Sequence, residues 1–193
     1  MVAFYRKDLA ARRALTKKAI AERATILERW ESVSEENTKG WADRARIIAS
    51  LLKDERSVVD LGCGPMHLER FLSREVKYIP VDVMRRDDRT IIVDLNKDEL
   101  PTLDADCLVA GGVLEYIHDV PKLLSSISKC FKTSVVTYNI NEKTPSIETR
   151  EGHGWVNSFT TTDLEADFEQ VCLTVLEKLS YGSQLIWKLK GIK

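Results

Sequence analysis

The sequence has few of the residues that mark fibrous, disulfide-rich or membrane-spanning proteins. Nine glycines and five prolines among 193 residues are too few for a collagen-like or low-complexity chain. The four cysteines are scattered without a Cys-x-x-Cys pair, so we predict neither a disulfide framework nor a metal site. No run approaches the roughly 18 apolar residues of a membrane span, and the N-terminus lacks the apolar centre of a secretory signal. We therefore expect a soluble, cytoplasmic protein.

The composition is typical of a single folded domain, which we expect to span residues 1–193. It is 44% hydrophobic and 31% charged, and its net charge of −1 argues against a nucleic-acid binder as a whole. Residues 1–30 nevertheless carry only three acids, Asp8, Glu22 and Glu28, against eight bases: Arg6, Lys7, Arg12, Arg13, Lys17, Lys18, Arg23 and Arg29. Such a segment is either a solvated helix face or a surface for an anionic substrate, RNA or a membrane.

The apolar pattern changes after residue 56. Residues 5–33 are strong helix formers without glycine or proline, and they predict a helix that is followed by a second at about 41–52. Together they form a predicted helical cap over residues 1–55. From residue 56 to 193, short apolar runs alternate with helical stretches, which is typical of a mainly parallel sheet covered on both faces. Strands are predicted at about 57–61, 77–82, 90–94, 105–110 and 133–138, helices at about 66–74 and 120–131, and an antiparallel hairpin at 171–176 and 184–189.

A glycine turn follows the first predicted strand. Gly62 and Gly64 stand between that strand and the next predicted helix, at the sheet edge where ligands of parallel sheets bind. A diphosphate-binding turn has a third glycine three residues after the second, but His67 occupies that position. Asp60, two residues before Gly62, favours a cationic or hydrogen-bond-donating ligand. The turn therefore predicts a nucleotide-like cofactor without a diphosphate.

Two further acids end the next predicted strands. Asp82 ends the second strand, where a carboxylate can accept from both hydroxyls of a ribose. Asp94 ends the third, where it can accept from an adenine amine while Leu95 packs on the ring. The alternative is that each acid is only a solvated strand end or turn cap.

With these residues the sequence resembles the class I S-adenosylmethionine-dependent methyltransferases. The stretch Asp60–Gly64 looks like their first motif, Asp82 like their ribose-binding acid, Asp94-Leu95 like their adenine-side pair, and residues 105–119 are similar to their fourth strand and following loop. The resemblance covers about residues 57–190. It implies a Rossmann-like, doubly wound sheet of seven strands and S-adenosylmethionine as cofactor. The cofactor-binding residues that it implies are Asp60, Gly62, Gly64, Asp82, Asp94, Leu95 and Gly111.

The chain departs from that family at two places. Met66 stands where a third glycine is common, which alters the methionine end of the expected pocket. The residues Lys129–Thr133 replace the Pro-Gly-Gly turn that often precedes the fifth strand, which shortens a loop.

Two histidines are the candidate catalytic residues, because an imidazole titrates near neutral pH. His118 lies in the loop after the fourth strand, on the side where this family's acceptors approach, and Glu115 and Tyr116 share that loop. His153 lies in a glycine- and aromatic-rich stretch, 151–159, that suits a lid. The alternative is that both histidines are surface polar residues.

The resemblance implies a methyltransferase that acts on a small-molecule or sugar-like acceptor, covered by the N-terminal helices and residues 140–160. An RNA or protein methyltransferase that docks its target on the basic helix is one alternative. A catalytically inactive binding module of the same fold is another. A dinucleotide-dependent oxidoreductase is the least favoured, because its glycine spacing differs.

Overall fold

The computed structural model describes residues 3–193, which form one seven-stranded sheet with flanking helices. The strands are β1 (Ser57–Leu61), β2 (Lys77–Asp82), β3 (Ile91–Ile92), β4 (Cys107–Gly111), β5 (Thr133–Asn139), β6 (Thr174–Tyr181) and β7 (Gln184–Lys190). The helices are α1 (Leu9–Glu22), α2 (Glu28–Glu31), α3 (Lys39–Ser50), α4 (Val120–Cys130), α5 (Ile147–Gly152) and α6 (Thr161–Gln170).

The strand order is β3-β2-β1-β4-β5-β7-β6. Strands β1 to β5 run parallel, and β7 lies antiparallel between β5 and β6. The predicted doubly wound sheet with a closing antiparallel hairpin is therefore confirmed. The order reverses between β1 and β4, so the loops that follow these two strands flank a crevice at the carboxyl edge.

Two apolar layers cover the two faces of the sheet. Successive residues of β1 alternate between them: Val58 packs in the layer that contains α3, and Val59 packs in the layer that contains α4 and α6. Both valines have no exposed surface. Burial on both faces explains why the central strands are continuous apolar runs in the sequence.

The N-terminal segment is more broken than the sequence predicts. The predicted helix over residues 5–33 is wrong as one element: α1 ends at Glu22, Arg23 has a left-handed φ of 51°, and α2 is only 4 residues long. The break brings Thr25 to the sheet edge, where its Oγ1 donates to Asp94 Oδ1 at 2.5 Å. Tertiary contacts at this edge override a good helix propensity.

The predicted helix at about 66–74 is also wrong. Only a 3-10 turn, Glu69–Phe71, forms there. Gly64 and Met66 have φ of 50° and 57°, so the chain cannot continue in the right-handed helical region after the glycine turn. Met66 thus adopts a left-handed backbone conformation, which glycine adopts more readily than a residue with a side chain.

Two strands and two helices also differ from the predictions. β3 is reduced to Ile91–Ile92, and β6 begins at Thr174 because Cys172, with a left-handed φ of 59°, separates it from α6. The short helices α5 and α6 lie where no helix is predicted. Within residues 3–193, no helix combines the length and the apolar character that crossing a membrane requires.

The basic face of α1 is used inside the protein. Arg13 donates to Glu151 Oε2 at 2.7 Å and to Glu148 Oε1 at 2.8 Å, and both acids belong to α5. Arg12 Nη1 donates to Gly152 O at 2.8 Å, and buried Thr16 donates to Glu151 O at 2.7 Å. The positive charge of α1 therefore fastens the N-terminal segment to α5.

The turn after β1 tolerates only glycine at residue 62. Gly62 has a φ of 68°, and an added Cβ would lie 2.5 Å from Val113 Cγ2. We expect Gly62→Ala to lower the free energy of unfolding by about 2–4 kcal/mol, through backbone strain and overpacking. The matched control is Gly40→Ala in α3, where an added Cβ meets nothing within 4 Å and helix propensity predicts a gain of up to about 1 kcal/mol. Urea unfolding measures the free energy of unfolding of both variants. An equal change in the two variants would contradict the strain argument.

Candidate active site

A cavity of about 330 Å³ lies at the carboxyl edge of the sheet, in the size range of small-ligand sites. The seven residues predicted to bind a cofactor all line it: Asp60, Gly62, Gly64, Asp82, Asp94, Leu95 and Gly111. Other lining residues come from the N-terminal segment and from the chain between Asn139 and Trp155. The fold therefore brings residues from both ends of the chain around one space.

The backbone amides of the glycine turn are already occupied. Gly62 N and Cys63 N both donate to Val81 O, at 2.8 and 3.1 Å, and Gly64 N donates to Asp82 Oδ2 at 2.8 Å. A diphosphate site needs such N–H groups free for its oxygens. At this turn a ligand instead meets the cavity and the carboxyl groups of Asp60 and Asp82.

Asp82 holds the end of β2 to the glycine turn. Its Oδ1 accepts from Met84 N at 2.9 Å and from Arg86 Nη2 at 3.1 Å, and its Oδ2 accepts from Gly64 N. A carboxylate offers about four acceptor positions, so one position on Oδ2 is free for a ligand donor. The geometry suits one ribose hydroxyl at Oδ2 rather than the two that the sequence suggests.

One of the two carboxylate oxygens of Asp94 is hydrogen-bonded to the N-terminal segment. Oδ1 accepts from Thr25 Oγ1 at 2.5 Å and from Asn96 N at 3.2 Å. Oδ2 is buried without a hydrogen bond, although Lys97 Nζ lies 3.2 Å away at ion-pair distance. Oδ2 is thus the oxygen that can accept from a ligand amine.

Asp60 is a buried acid without a cationic partner in hydrogen-bond contact. Its Oδ2 accepts from Tyr78 OH at 2.6 Å. Burial raises the pKa of Asp60 to about 7, with a smaller contribution from the charge of Asp82, while the Tyr78 hydrogen bond and Arg44 act in the opposite direction. Near neutral pH this carboxyl group is therefore divided between its neutral and charged forms.

This pKa predicts that a cationic ligand binds more tightly at higher pH. Below pH 7 Asp60 is mostly neutral, and above it the carboxylate attracts a sulfonium or ammonium group. We expect the affinity for S-adenosylmethionine to rise roughly three- to tenfold from pH 6 to pH 8, since a tenfold change corresponds to one pKa unit. S-adenosylhomocysteine, which lacks the sulfonium charge, gains less. Calorimetry across this range with wild type and Asp60→Asn measures the effect; a rise that persists in the variant would exclude Asp60 as its source.

Arg44 on α3 is a site residue that the sequence analysis missed. Its Nη2 donates to Gly111 O at 2.9 Å and its Nη1 to Gln184 Oε1 at 3.3 Å, so both partners are neutral. An added Cβ on Gly112 would lie 2.7 Å from Arg44 Nη1, so the glycine makes room for the guanidinium. Burial lowers the pKa of Arg44, and the charge of Glu115 partly offsets this. A half-buried guanidinium of this kind suits a ligand carboxylate.

Glu115 presents one unpaired oxygen. The residue is 1% exposed and lines the cavity. Its Oε1 accepts from Asn139 N at 2.9 Å and from Asn139 Nδ2 at 2.7 Å, whereas Oε2 is buried without a partner. A buried acceptor without a donor is costly and uncommon, and it marks a place where a ligand donor binds favourably.

The two candidate histidines lie in different places. His118 lines a separate small cavity outside this site, and its Nε2 is 3.2 Å from Ala24 O. His153 lines the main cavity, stacks on Trp155 with centroids 5.0 Å apart, and has Nδ1 3.1 Å from Tyr5 OH. Burial, with help from the charges of Arg29 and Arg12, lowers the pKa of His153, so its ring is neutral at pH 7. No group of three His, Cys, Asp or Glu side chains among residues 3–193 is arranged to hold a metal ion.

Comparison with known proteins gives a family and a set of related folds. A family model described as a methyltransferase domain matches residues 30–178, which is more than half of the chain. Comparison with curated proteins finds no match. The matched range contains every residue that is predicted to bind the cofactor or to act in catalysis.

Three solved structures illustrate the similarity. CalO1, a methyltransferase of calicheamicin biosynthesis in its S-adenosylhomocysteine-bound form, is 16% identical with a TM-score of 0.59, over 79% of this chain and 54% of that one. A Nostoc punctiforme protein, provisionally described as an O-methyltransferase, is 13% identical with a TM-score of 0.72, over 98% and 70%. The 1,6-didemethyltoxoflavin-N1-methyltransferase of Burkholderia thailandensis, with bound 1,6-didemethyltoxoflavin and S-adenosylhomocysteine, is 14% identical with a TM-score of 0.62, over 95% and 89%. This chain thus spans about half the length of CalO1, and identities this low describe the fold alone.

Proposed function

This chain belongs to the methyltransferase-domain family, and from that premise we propose that it transfers the methyl group of S-adenosylmethionine to a small molecule. The observation that carries the proposal is the meeting of Asp60, Asp82 and Asp94 around one cavity at the carboxyl edge of the sheet. Relatives in fold, CalO1 among them, hold S-adenosylhomocysteine. The acceptors named for such relatives are small molecules, which supports the same class here.

The residues around the cavity fit the chemical groups of the cofactor. Asp82 Oδ2 can accept from a ribose hydroxyl and Asp94 Oδ2 from the adenine amine, with Leu95 beside the ring. Arg44, between Gly111 and Gln184, suits the carboxylate of the methionine moiety, and Asp60 suits a positive charge. The occupied amides of the glycine turn do not suit a diphosphate.

The chain's own part in the reaction is to position two molecules and to take up a proton. The cofactor supplies a methyl group that its sulfonium already activates. The protein must hold an acceptor in line with that methyl group and exclude water, which is the role that we assign to the N-terminal cap, residues 1–55, over the core, residues 56–193. Tyr5, from the N-terminal cap, and Trp155 both line the cavity with aromatic rings.

We assign the proton to Glu115 rather than to a histidine. Glu115 Oε2 is a buried acceptor without a donor, while Oε1 is fixed by Asn139. His153, which the sequence names for this role, already has Nδ1 3.1 Å from Tyr5 OH and stacks on Trp155, so it is held in the cavity wall. We therefore propose that His153 is a neutral part of the cavity wall. His118, outside the cavity, has no part in this proposal.

The alternative acceptors, RNA or protein, depend on the basic helix. The charges of Arg12 and Arg13 are engaged by α5, and Lys18 Nζ lies 4.0 Å from Glu22 Oε1 within α1. Part of the positive charge that suggested a surface for RNA or protein is thus paired within the chain. The small-molecule proposal needs no such surface.

Binding of S-adenosylhomocysteine tests the proposed function. Calorimetry on the wild-type protein is expected to give one site with a micromolar dissociation constant. NADH, which carries a diphosphate, serves as the control and is expected not to compete. A protein that binds NADH and leaves S-adenosylhomocysteine unbound would contradict the proposal.

A further inference from the structure

Arg29 is a buried cation whose protein partners are all uncharged. It is 3% exposed and lines the cavity. Nε is 3.3 Å from His153 O, and Nη2 donates to Tyr5 OH at 3.0 Å and to Tyr116 OH at 3.1 Å. Nη1 is buried without a hydrogen-bond partner. Of the five N–H donors of the guanidinium, the two on Nη1 are thus unused.

Aromatic rings surround this guanidinium but do not replace an anion. Its Cζ lies 4.7 Å from the ring centroids of Tyr5 and Trp30, and 5.6 Å from those of Phe4 and Tyr116. These contacts offset part of the cost of removing the cation from water, but an aromatic face gives the Nη1 donors no oxygen acceptor. An anionic ligand group would balance the remaining cost, and the two Nη1 donors suit its oxygens.

The proposed cofactor does not use Arg29. It has one carboxylate, and Arg44 contacts the glycine pair Gly111-Gly112 at the end of β4, where it can receive that carboxylate. Arg29 instead contacts Tyr116 and His153, which belong to the segments that we assign to the acceptor side. The unpaired positive charge is therefore available to the second substrate.

Resting on the proposed function, we infer that the acceptor is a planar hydroxy-aromatic acid whose carboxylate pairs with Arg29 and whose hydroxyl donates to Glu115 Oε2. The aromatic side chains that line the cavity, Tyr5, Trp30, Trp41, Tyr116 and Trp155, give such a ring apolar faces on which to stack. A neutral acceptor would leave the Arg29 donors unpaired. A non-aromatic acceptor would make little use of the rings.

The transfer step balances with these groups alone. The acceptor hydroxyl oxygen forms a bond to the methyl carbon while the carbon–sulfur bond breaks, and that bonding pair stays on sulfur. The hydroxyl proton passes to Glu115 Oε2. The products are the methyl ether of the aromatic acid and S-adenosylhomocysteine, and neither an oxidant nor a metal is consumed.

Matched acids and amides test this inference. The probes are the three isomeric hydroxybenzoates and the corresponding hydroxybenzamides, which have the same shape without the charge, titrated calorimetrically into protein saturated with S-adenosylhomocysteine. We expect at least one hydroxybenzoate to bind at least tenfold more tightly than its amide. Arg29→Met should lower that affinity at least tenfold while amide and S-adenosylhomocysteine affinities change less than twofold. Arg74→Met, which removes an exposed arginine, is the charge-matched control and should change neither.

The outcomes separate this inference from the proposed function. Equal affinity for acid and amide, no binding of any hydroxybenzoate, or an acid preference that survives Arg29→Met would each overturn the aromatic-acid inference, even if S-adenosylhomocysteine binds. Failure of S-adenosylhomocysteine to bind overturns the proposed function instead. If Arg29→Met does not fold, the wild-type acid-to-amide ratio decides, together with Arg29→Lys, which keeps the charge and should keep the acid preference.

Discussion

Replacing Asp82 by alanine is expected to weaken S-adenosylhomocysteine binding about hundredfold. Asp82 Oδ2 both holds Gly64 N and offers the free position for a ribose hydroxyl, so the substitution removes a ligand contact and loosens the turn. A hydrogen bond to a charged group contributes about 1.5–3 kcal/mol, and each 1.4 kcal/mol is a tenfold change in affinity. Calorimetric titration of wild type and variant measures the change.

Two variants control for indirect effects of the Asp82 substitution. Asp82→Asn keeps the shape and an acceptor oxygen, and we expect an intermediate loss of affinity. Asp88→Ala removes an exposed acid from the loop after β2 and should leave the affinity unchanged. If Asp82→Ala bound S-adenosylhomocysteine as tightly as Asp88→Ala, the ribose assignment would be wrong.

Glu115→Gln is expected to lower kcat about hundredfold and to leave S-adenosylhomocysteine affinity within twofold of wild type. Glutamine can still accept from Asn139 through one oxygen, but it puts an NH₂ group where the acceptor proton must go. General base catalysis contributes typically 10²–10⁴-fold, which sets the size of the expected loss. Steady-state kinetics with a hydroxybenzoate that the wild-type protein methylates, and calorimetry on the same sample, measure both quantities.

The control for this substitution is Glu177→Gln, an isosteric change at an exposed position of β6 that should leave kcat unaltered. His153→Asn separates the two candidate bases, because it removes the imidazole and keeps a polar side chain. We expect it to retain more activity than Glu115→Gln. Full activity in Glu115→Gln together with a large loss in His153→Asn would return the proton-accepting role to the histidine.

Strand positions and the carboxyl-edge residues could be predicted from the sequence because both depend on local pattern. Val58 and Val59 are buried on opposite faces, so β1 is a continuous apolar run, and the glycine turn follows it directly. Asp82 ends its strand as predicted, and Asp94 lies two residues beyond the end of β3. A parallel sheet then brings such strand ends to one edge without further information.

The acceptor side could not be predicted because it depends on where the N-terminal segment turns. The helix propensity of residues 5–33 favours a continuous helix, and nothing local marks the left-handed Arg23 that ends α1. Only that turn brings Arg29 to Tyr116 and His153. In the sequence alone, Arg44 and Arg29 resemble any other arginine of a helix, and only the fold places them at the cavity beside neutral partners.

The central claim is that the carboxyl edge holds an adenosyl group through carboxylates and not a diphosphate through amides. A crystal structure of the protein with S-adenosylhomocysteine tests it most directly. The account predicts a ribose hydroxyl within hydrogen-bond distance of Asp82 Oδ2, the adenine amine at Asp94 Oδ2 and the ligand carboxylate on Arg44. A ligand bound elsewhere, or this edge filled by Thr25 and Arg44 with the ligand excluded, would contradict it.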